Sequence, residues 1–159
     1  MIPMTLRGVR VETPTNQPIV LLQETSGVRY LPIWILREQA EAIAMATAGI
    51  VPERPMTHDL MRDLLTELGV RVTRVSITEV RDRIYHATLD LQRNGETHVI
   101  SCRPSDAIAL AVRVDAPLFA ADAVLEEAGI LLADDVEEED EVERFREFLD
   151  TVTPEDFSG

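Results

Sequence analysis

The spacing of apolar residues changes several times along this chain, and each change marks an element. From Thr5 to Glu12 they fall at Leu6, Val9 and Val11, which predicts a strand, and Thr13 to Pro18, with two prolines and an asparagine, predicts a loop. Two more strands, Ile19 to Glu24 and Val28 to Ile35, are expected to meet at Ser26-Gly27 in a tight hairpin. The spacing then lengthens. Ala40, Ile43, Ala44 and Ala48 recur at helical intervals between Glu38 and Ala48, and Gly49 stops the run. After a proline-containing linker from Val51 to Pro55, Thr57 is the expected N-cap of a second helix, with an apolar stripe of Leu60, Leu64, Leu65 and Leu68.

Val70 to Val80 is rich in valine, isoleucine and threonine and predicts a strand, with a bulge near Arg74 where the alternation slips. Ile84 to Gln92 and Glu96 to Cys102 flank Asn94-Gly95, a strong hairpin signal. With those two residues as the loop, Arg93 pairs with Glu96, Leu89 faces Ile100, Ala87 faces Cys102 and His86 faces Arg103. The same register places Tyr85, Ala87, Leu89 and Leu91 on one face and His86, Thr88 and Asp90 on the other.

The next stretch, Ala107 to Val112, is apolar at every position, so its helix must lie inside the fold. Pro104 suits its first turn, Ser105 or Asp106 can accept from its free N–H groups, and Asp115-Ala116-Pro117 ends it. A short strand at Leu118 to Ala120 and a short helix at Ala123 to Ala128 follow. Trp34 and Cys102 read as core residues.

These elements predict an α+β fold, a single domain of largely antiparallel strands packed with three to four helices. The 159 residues are 45% hydrophobic, enough for one sizeable core. Charge divides the chain in two. Residues 134 to 159 hold 12 acidic residues and 2 arginines, which leaves 17 acidic residues and 13 arginines for residues 1 to 133. The first 133 residues therefore form the expected domain. The remainder reads as an acidic linker followed by an amphipathic C-terminal helix carrying Val142, Phe145, Leu149 and Val152, docked on the body or on a partner subunit. The whole-chain charge of −14 argues against tight nucleic-acid binding, but the body alone is nearly neutral. One cysteine rules out an internal disulfide framework and fits a cytosolic protein. No apolar run approaches the length of a membrane span, so a soluble, unexported protein is expected.

Candidate chemistry gathers at two helix entrances. Arg54-Pro55-Met56-Thr57-His58-Asp59 and Arg103-Pro104-Ser105-Asp106 each set Arg-Pro, a hydroxyl and an aspartate at a helix start. Helix starts offer free N–H groups and a positive dipole end that bind phosphate, and arginine strengthens this. Asp59 and Asp106 admit two roles: caps for their own helices, or ligands of a divalent cation, magnesium or manganese, that activates water in phosphodiester hydrolysis. His58 reads as a general base or metal ligand, or as an exposed first-turn residue. His86 and His98 read as ordinary strand residues.

Leu31-Pro32-Ile33-Trp34-Ile35, Arg54 to Leu60, Arg103 to Leu110 and the ending from Phe145 to Phe157 together resemble the bifunctional nuclease family. The similarity runs from about Thr5 to Leu132, and the acidic ending is similar to that of actinobacterial members. The resemblance implies an α+β domain and a nuclease acting on RNA and DNA, with weak binding expected from so acidic a chain. His58, Asp59, Arg103, Ser105 and Asp106 are the polar positions inside these motifs and the candidate catalytic residues, with Asp59 and Asp106 as candidate metal ligands. A homo-oligomer is expected, a dimer first, because small meander sheets have edges to cover. The competing expectation is a non-catalytic oligomeric binding module whose acidic tail recruits a partner.

Overall fold

The computed structural model describes residues 1–132, so the expected acidic linker and C-terminal helix lie outside the described residues. Strands β1 (Ile2–Glu12), β2 (Gln17–Glu24) and β3 (Arg29–Trp34) form one antiparallel meander, and β4 (Arg71–Arg81), β5 (Ile84–Arg93) and β6 (Glu96–Cys102) form a second. The three-residue β7 (Leu118–Ala120) joins them, antiparallel to β1 and parallel to β4. With β8 (Ile130–Leu131) the order is β6-β5-β4-β7-β1-β2-β3-β8, one eight-stranded sheet. The β5–β6 register is the expected one, Arg93 opposite Glu96, Leu89 opposite Ile100 and Ala87 opposite Cys102. Irregular pairing at Val72/Arg74 places the anticipated bulge, and a second falls at Ile77/Glu79. The sheet curls enough for the Tyr85 hydroxyl of β5 to donate to the Pro32 carbonyl of β3 at 3.3 Å.

Among the described residues four helices accompany the sheet: α1 (Arg37–Thr47), α2 (Thr57–Glu67), α3 (Pro104–Val114) and α4 (Asp122–Ala128). As its apolar run requires, α3 is the central one. Ala107, Ile108, Ala109 and Leu110 are all fully buried, between β4 and β5 on one side and α1 and α2 on the other. Pro104 occupies its first turn, and Asp115, in the left-handed region at φ 54°, ends it.

Four expectations about the elements need correction. The turn at Ser26-Gly27 is not a two-residue hairpin, since β2 ends at Glu24 and β3 begins at Arg29, with Gln23 opposite Tyr30. The N-cap of α2 is Met56, not Thr57, because the Asp59 carboxylate reaches back to the Met56 N–H at 3.0 Å and fixes the helix start one residue earlier. The apolar stripe of α2 also turns outward. Met61 and Leu65 pack on the core, whereas Leu60, Leu64 and Leu68 are 51%, 53% and 55% exposed. The reason is the pair His58 and Asp59, which anchors the other face of α2 to α3. Trp34 is 47% exposed rather than a core anchor, since strand alternation buries Ile33 and Ile35 on either side of it.

Candidate active site

The two Arg-Pro helix entrances meet, because α2 lies along α3. His58 and Asp59, adjacent in the first turn of α2, contact α3 at points seven residues apart. The two aspartates hold the same position, third in their helices, yet do different things.

Asp59 is the structural one. Its Oδ2 accepts the Met56 N–H, and its Oδ1 accepts the Arg113 Nε–H at 2.7 Å in an ion pair whose side chains are only 9% and 5% exposed. Arg113 also donates to the carbonyls of Ala109 at 2.8 Å and Ala42 at 3.0 Å, so one guanidinium fastens α2, α3 and α1 together. Burial would raise the Asp59 pKa, but the hydrogen bonds from Arg113 and Met56 and the charges of Arg113 and Arg62 outweigh it and hold the carboxyl below its ordinary value.

Asp106 does not cap its own helix. Its Oδ1 lies 3.0 Å from His58 Nε2, and its Oδ2 accepts the Arg103 Nε–H at 2.8 Å. Its pKa is again lowered: burial pushes it up, and the His58 and Arg103 hydrogen bonds with their charges pull it further down. Asp106 is therefore ionised at neutral pH and can only accept hydrogen bonds. It follows that His58 carries a proton on Nε2 and, when neutral, keeps its lone pair on Nδ1. A carboxylate thus orients a histidine whose other nitrogen holds the lone pair when the ring is neutral. Exposure rises outward, from 11% for the His58 side chain to 26% for Asp106 and 65% for Arg103, so a ligand approaches from the arginine side. Ser105 is 4% exposed and takes no part in these bonds. With Asp106 it contributes first-turn N–H groups, the first intrahelical donor of α3 being that of Ala107.

The expected pairing of Asp59 with Asp106 on one cation does not match this donor set. Both oxygens of each carboxylate already hold protein donors, and the two share no partner. No group of three or more histidine, cysteine or acidic side chains suited to a metal occurs among the described residues. Cys102 is no nucleophile, because burial and the nearby Asp106 push its thiol up to about 11. His86 stands opposite Glu79 on β4, and β6 ends at Cys102 before any pairing of His86 with Arg103. The residue missed in the sequence is Arg113. A lone arginine in the last turn of an otherwise apolar helix needs a buried counter-charge, and that was the available signal.

The profile of the bifunctional nuclease domain matches residues 20–133, which include both helix entrances. The chain belongs to the bifunctional nuclease domain family. An uncharacterised protein of Mycobacterium tuberculosis is 47% identical over 159 residues, covering 96% of this chain and 95% of its own. Bifunctional nuclease 1 of Oryza sativa subsp. japonica is 30% identical over 119 residues, which cover 73% of this chain and 35% of the rice protein. Bifunctional nuclease 2 of Arabidopsis thaliana is 30% identical over 106 residues, covering 65% and 32%. The chain thus corresponds to about a third of each plant protein. No described helix is long and apolar enough to cross a membrane.

Proposed function

We propose that this member of the family hydrolyses phosphodiester bonds in RNA and DNA, with His58 as the general base. The observation that carries the reading is the 3.0 Å bond from Asp106 to His58 Nε2, with Arg103 on the other carboxylate oxygen. Asp106 holds the imidazole so that Nδ1 can take a proton from the attacking water, the nucleophile that DNA, without a 2′-hydroxyl, requires. Arg103 and the first-turn N–H groups of α3 steady the phosphate and its developing charge. Ser105 contributes its backbone. A divalent cation taking part would be carried chiefly by the substrate's own phosphate oxygens, and would reach Asp106 only by displacing Arg103 from its Oδ2, since Asp59 is likewise held by Met56 and Arg113. We place the enzyme in the cytoplasm, which a free cysteine suits, and as a homodimer, for which the open edge of β6 offers unpaired backbone.

The test is cleavage of end-labelled single-stranded RNA and DNA by purified protein, with magnesium, manganese or chelator, beside His58→Ala. Cleavage lost in a still-folded variant supports the reading, and the chelator arm reports whether a cation takes part. Unchanged cleavage in the variant removes His58 from the site. Absence of cleavage under every condition favours a binding module, in which the His58–Asp106 bond only fastens α2 to α3.

A further inference from the structure

A cavity of about 400 Å3 opens on the same two helices, one helix face away from His58. Its floor is the buried Arg113–Asp59 pair, its apolar wall includes Ala46, Ile50 and Val112, and Arg62 stands at its edge. Arg62 is four residues after His58, hence on the flank of α2 between the two sites.

The floor is chemically incomplete. A guanidinium has five N–H donors. Arg113 uses three of them, on Asp59, Ala109 and Ala42, so two have no acceptor among the described residues although the side chain is 5% exposed. Arg62 engages Asp63 through Nε at 3.0 Å and reaches only to 3.9 Å of Asp59 through Nη1. The charge of Asp59 is offset by Arg113, and Glu53 at the rim is exposed to screening water. The cavity therefore presents two guanidinium edges beside an apolar wall, which suits an anionic oxygen attached to a flat, partly apolar body. Asp106 and Arg113 are seven residues apart on α3, about 10 Å along its axis. Roughly three stacked nucleotides cover that length at ~3.4 Å each, and fewer do if the strand is extended.

We propose that this cavity is a second nucleotide subsite. It holds the phosphate and base of a nucleotide roughly three positions along the strand from the bond cleaved at His58, with Arg62 and Arg113 on the phosphate and the Ala46–Val112 wall against the base. This rests on the nuclease reading and adds to it that the substrate is a single strand, because a base paired in a duplex must first be unpaired and unstacked before it turns into a pocket, a cost that a single strand avoids.

The experiment measures binding of a fluorescent dinucleotide and a fluorescent single-stranded octanucleotide by anisotropy in an Asp106→Asn background, so that the strand survives. The same titrations are repeated with Arg62→Ala and with Ala46→Trp, which fills the cavity without changing charge, after melting curves confirm that each is folded. The octanucleotide is expected to bind about ten-fold or more tightly than the dinucleotide, the effect of one charge-assisted hydrogen bond. Either added substitution should abolish that advantage. An advantage that is absent, or unchanged in both variants, overturns the subsite and leaves cleavage at His58 standing. Inorganic phosphate bound in an Arg62-dependent way, with no octanucleotide advantage, assigns the cavity to a free anion and also overturns it. No binding of either strand, with no cleavage by the wild-type protein, defeats the nuclease reading and the subsite together.

Discussion

Replacing Asp59 by asparagine separates fold from chemistry at the two helix entrances. The substitution keeps shape and leaves an oxygen for the Met56 N–H, but it strips Arg113 of its counter-charge where that side chain is 5% exposed. Breaking one partner of a buried ion pair costs about 3–5 kcal/mol. Arg113 keeps the Ala109 and Ala42 carbonyls, which places the loss near the lower end, about 3 kcal/mol. For a chain of this size that lowers the melting temperature by about 6–12 °C, and the urea midpoint by roughly 1–2 M at an ordinary slope. Asp59→Ala, which also deletes the cap, should lose about 1 kcal/mol more. The assay is urea unfolding followed by circular dichroism, extended to Arg113→Met and the double variant, with a coupling energy of at least ~1 kcal/mol expected between the two sites. A loss below ~1 kcal/mol with no coupling would mean that the pair behaves as an ordinary surface ion pair, and the reasoning would fail. A carboxylate serving a cation would give the opposite pattern in chelator, with little stability lost.

Four further outcomes are expected. Asp59 and Asp106 both titrate below their ordinary value of 3.8 in the folded protein; their contribution to stability is thus complete well above pH 3.8 and lost as pH falls through and below it, so melting temperature should drop there and Asp59→Asn should flatten the drop. Leu110→Ala, at a fully buried position in α3, should cost about 2–5 kcal/mol in the same unfolding assay. Leu64→Gln, on the outward stripe of α2, should change stability by less than about 0.5 kcal/mol; a larger loss would show that this face is covered in solution. Cys102, with its thiol near 11, should react with iodoacetamide at pH 7 far more slowly than an unfolded control.

Local signals carried much of the fold. Asn94-Gly95 and the alternation on either side of it determine the β5–β6 register, and the unbroken apolar run from Ala107 required a buried helix. What remained illegible depended on partners distant in sequence. The leucines of α2 formed a convincing stripe, yet which face of a helix is buried depends on what it meets, and the polar pair His58 and Asp59 prevailed through Asp106 and Arg113, 48 and 54 residues away. The same holds for chemistry. The echo between the two Arg-Pro entrances correctly marked where polar groups converge, but their aspartates are equivalent in sequence, and only the distances tell the cap and ion-pair partner from the residue that orients a histidine.

The most direct measurement is therefore the cleavage rate of a dinucleotide too short to reach the Arg62 cavity, compared between Asp106→Asn and Asp59→Asn well below both melting temperatures. With His58 as base and Asp106 as the carboxylate that orients it, Asp106→Asn should lose about 10²–10⁴-fold in rate, while Asp59→Asn, although the less stable protein, keeps most of its activity. The reverse result, with Asp59→Asn inactive and Asp106→Asn close to wild type, would contradict the assignment of the active site to the His58–Asp106 pair.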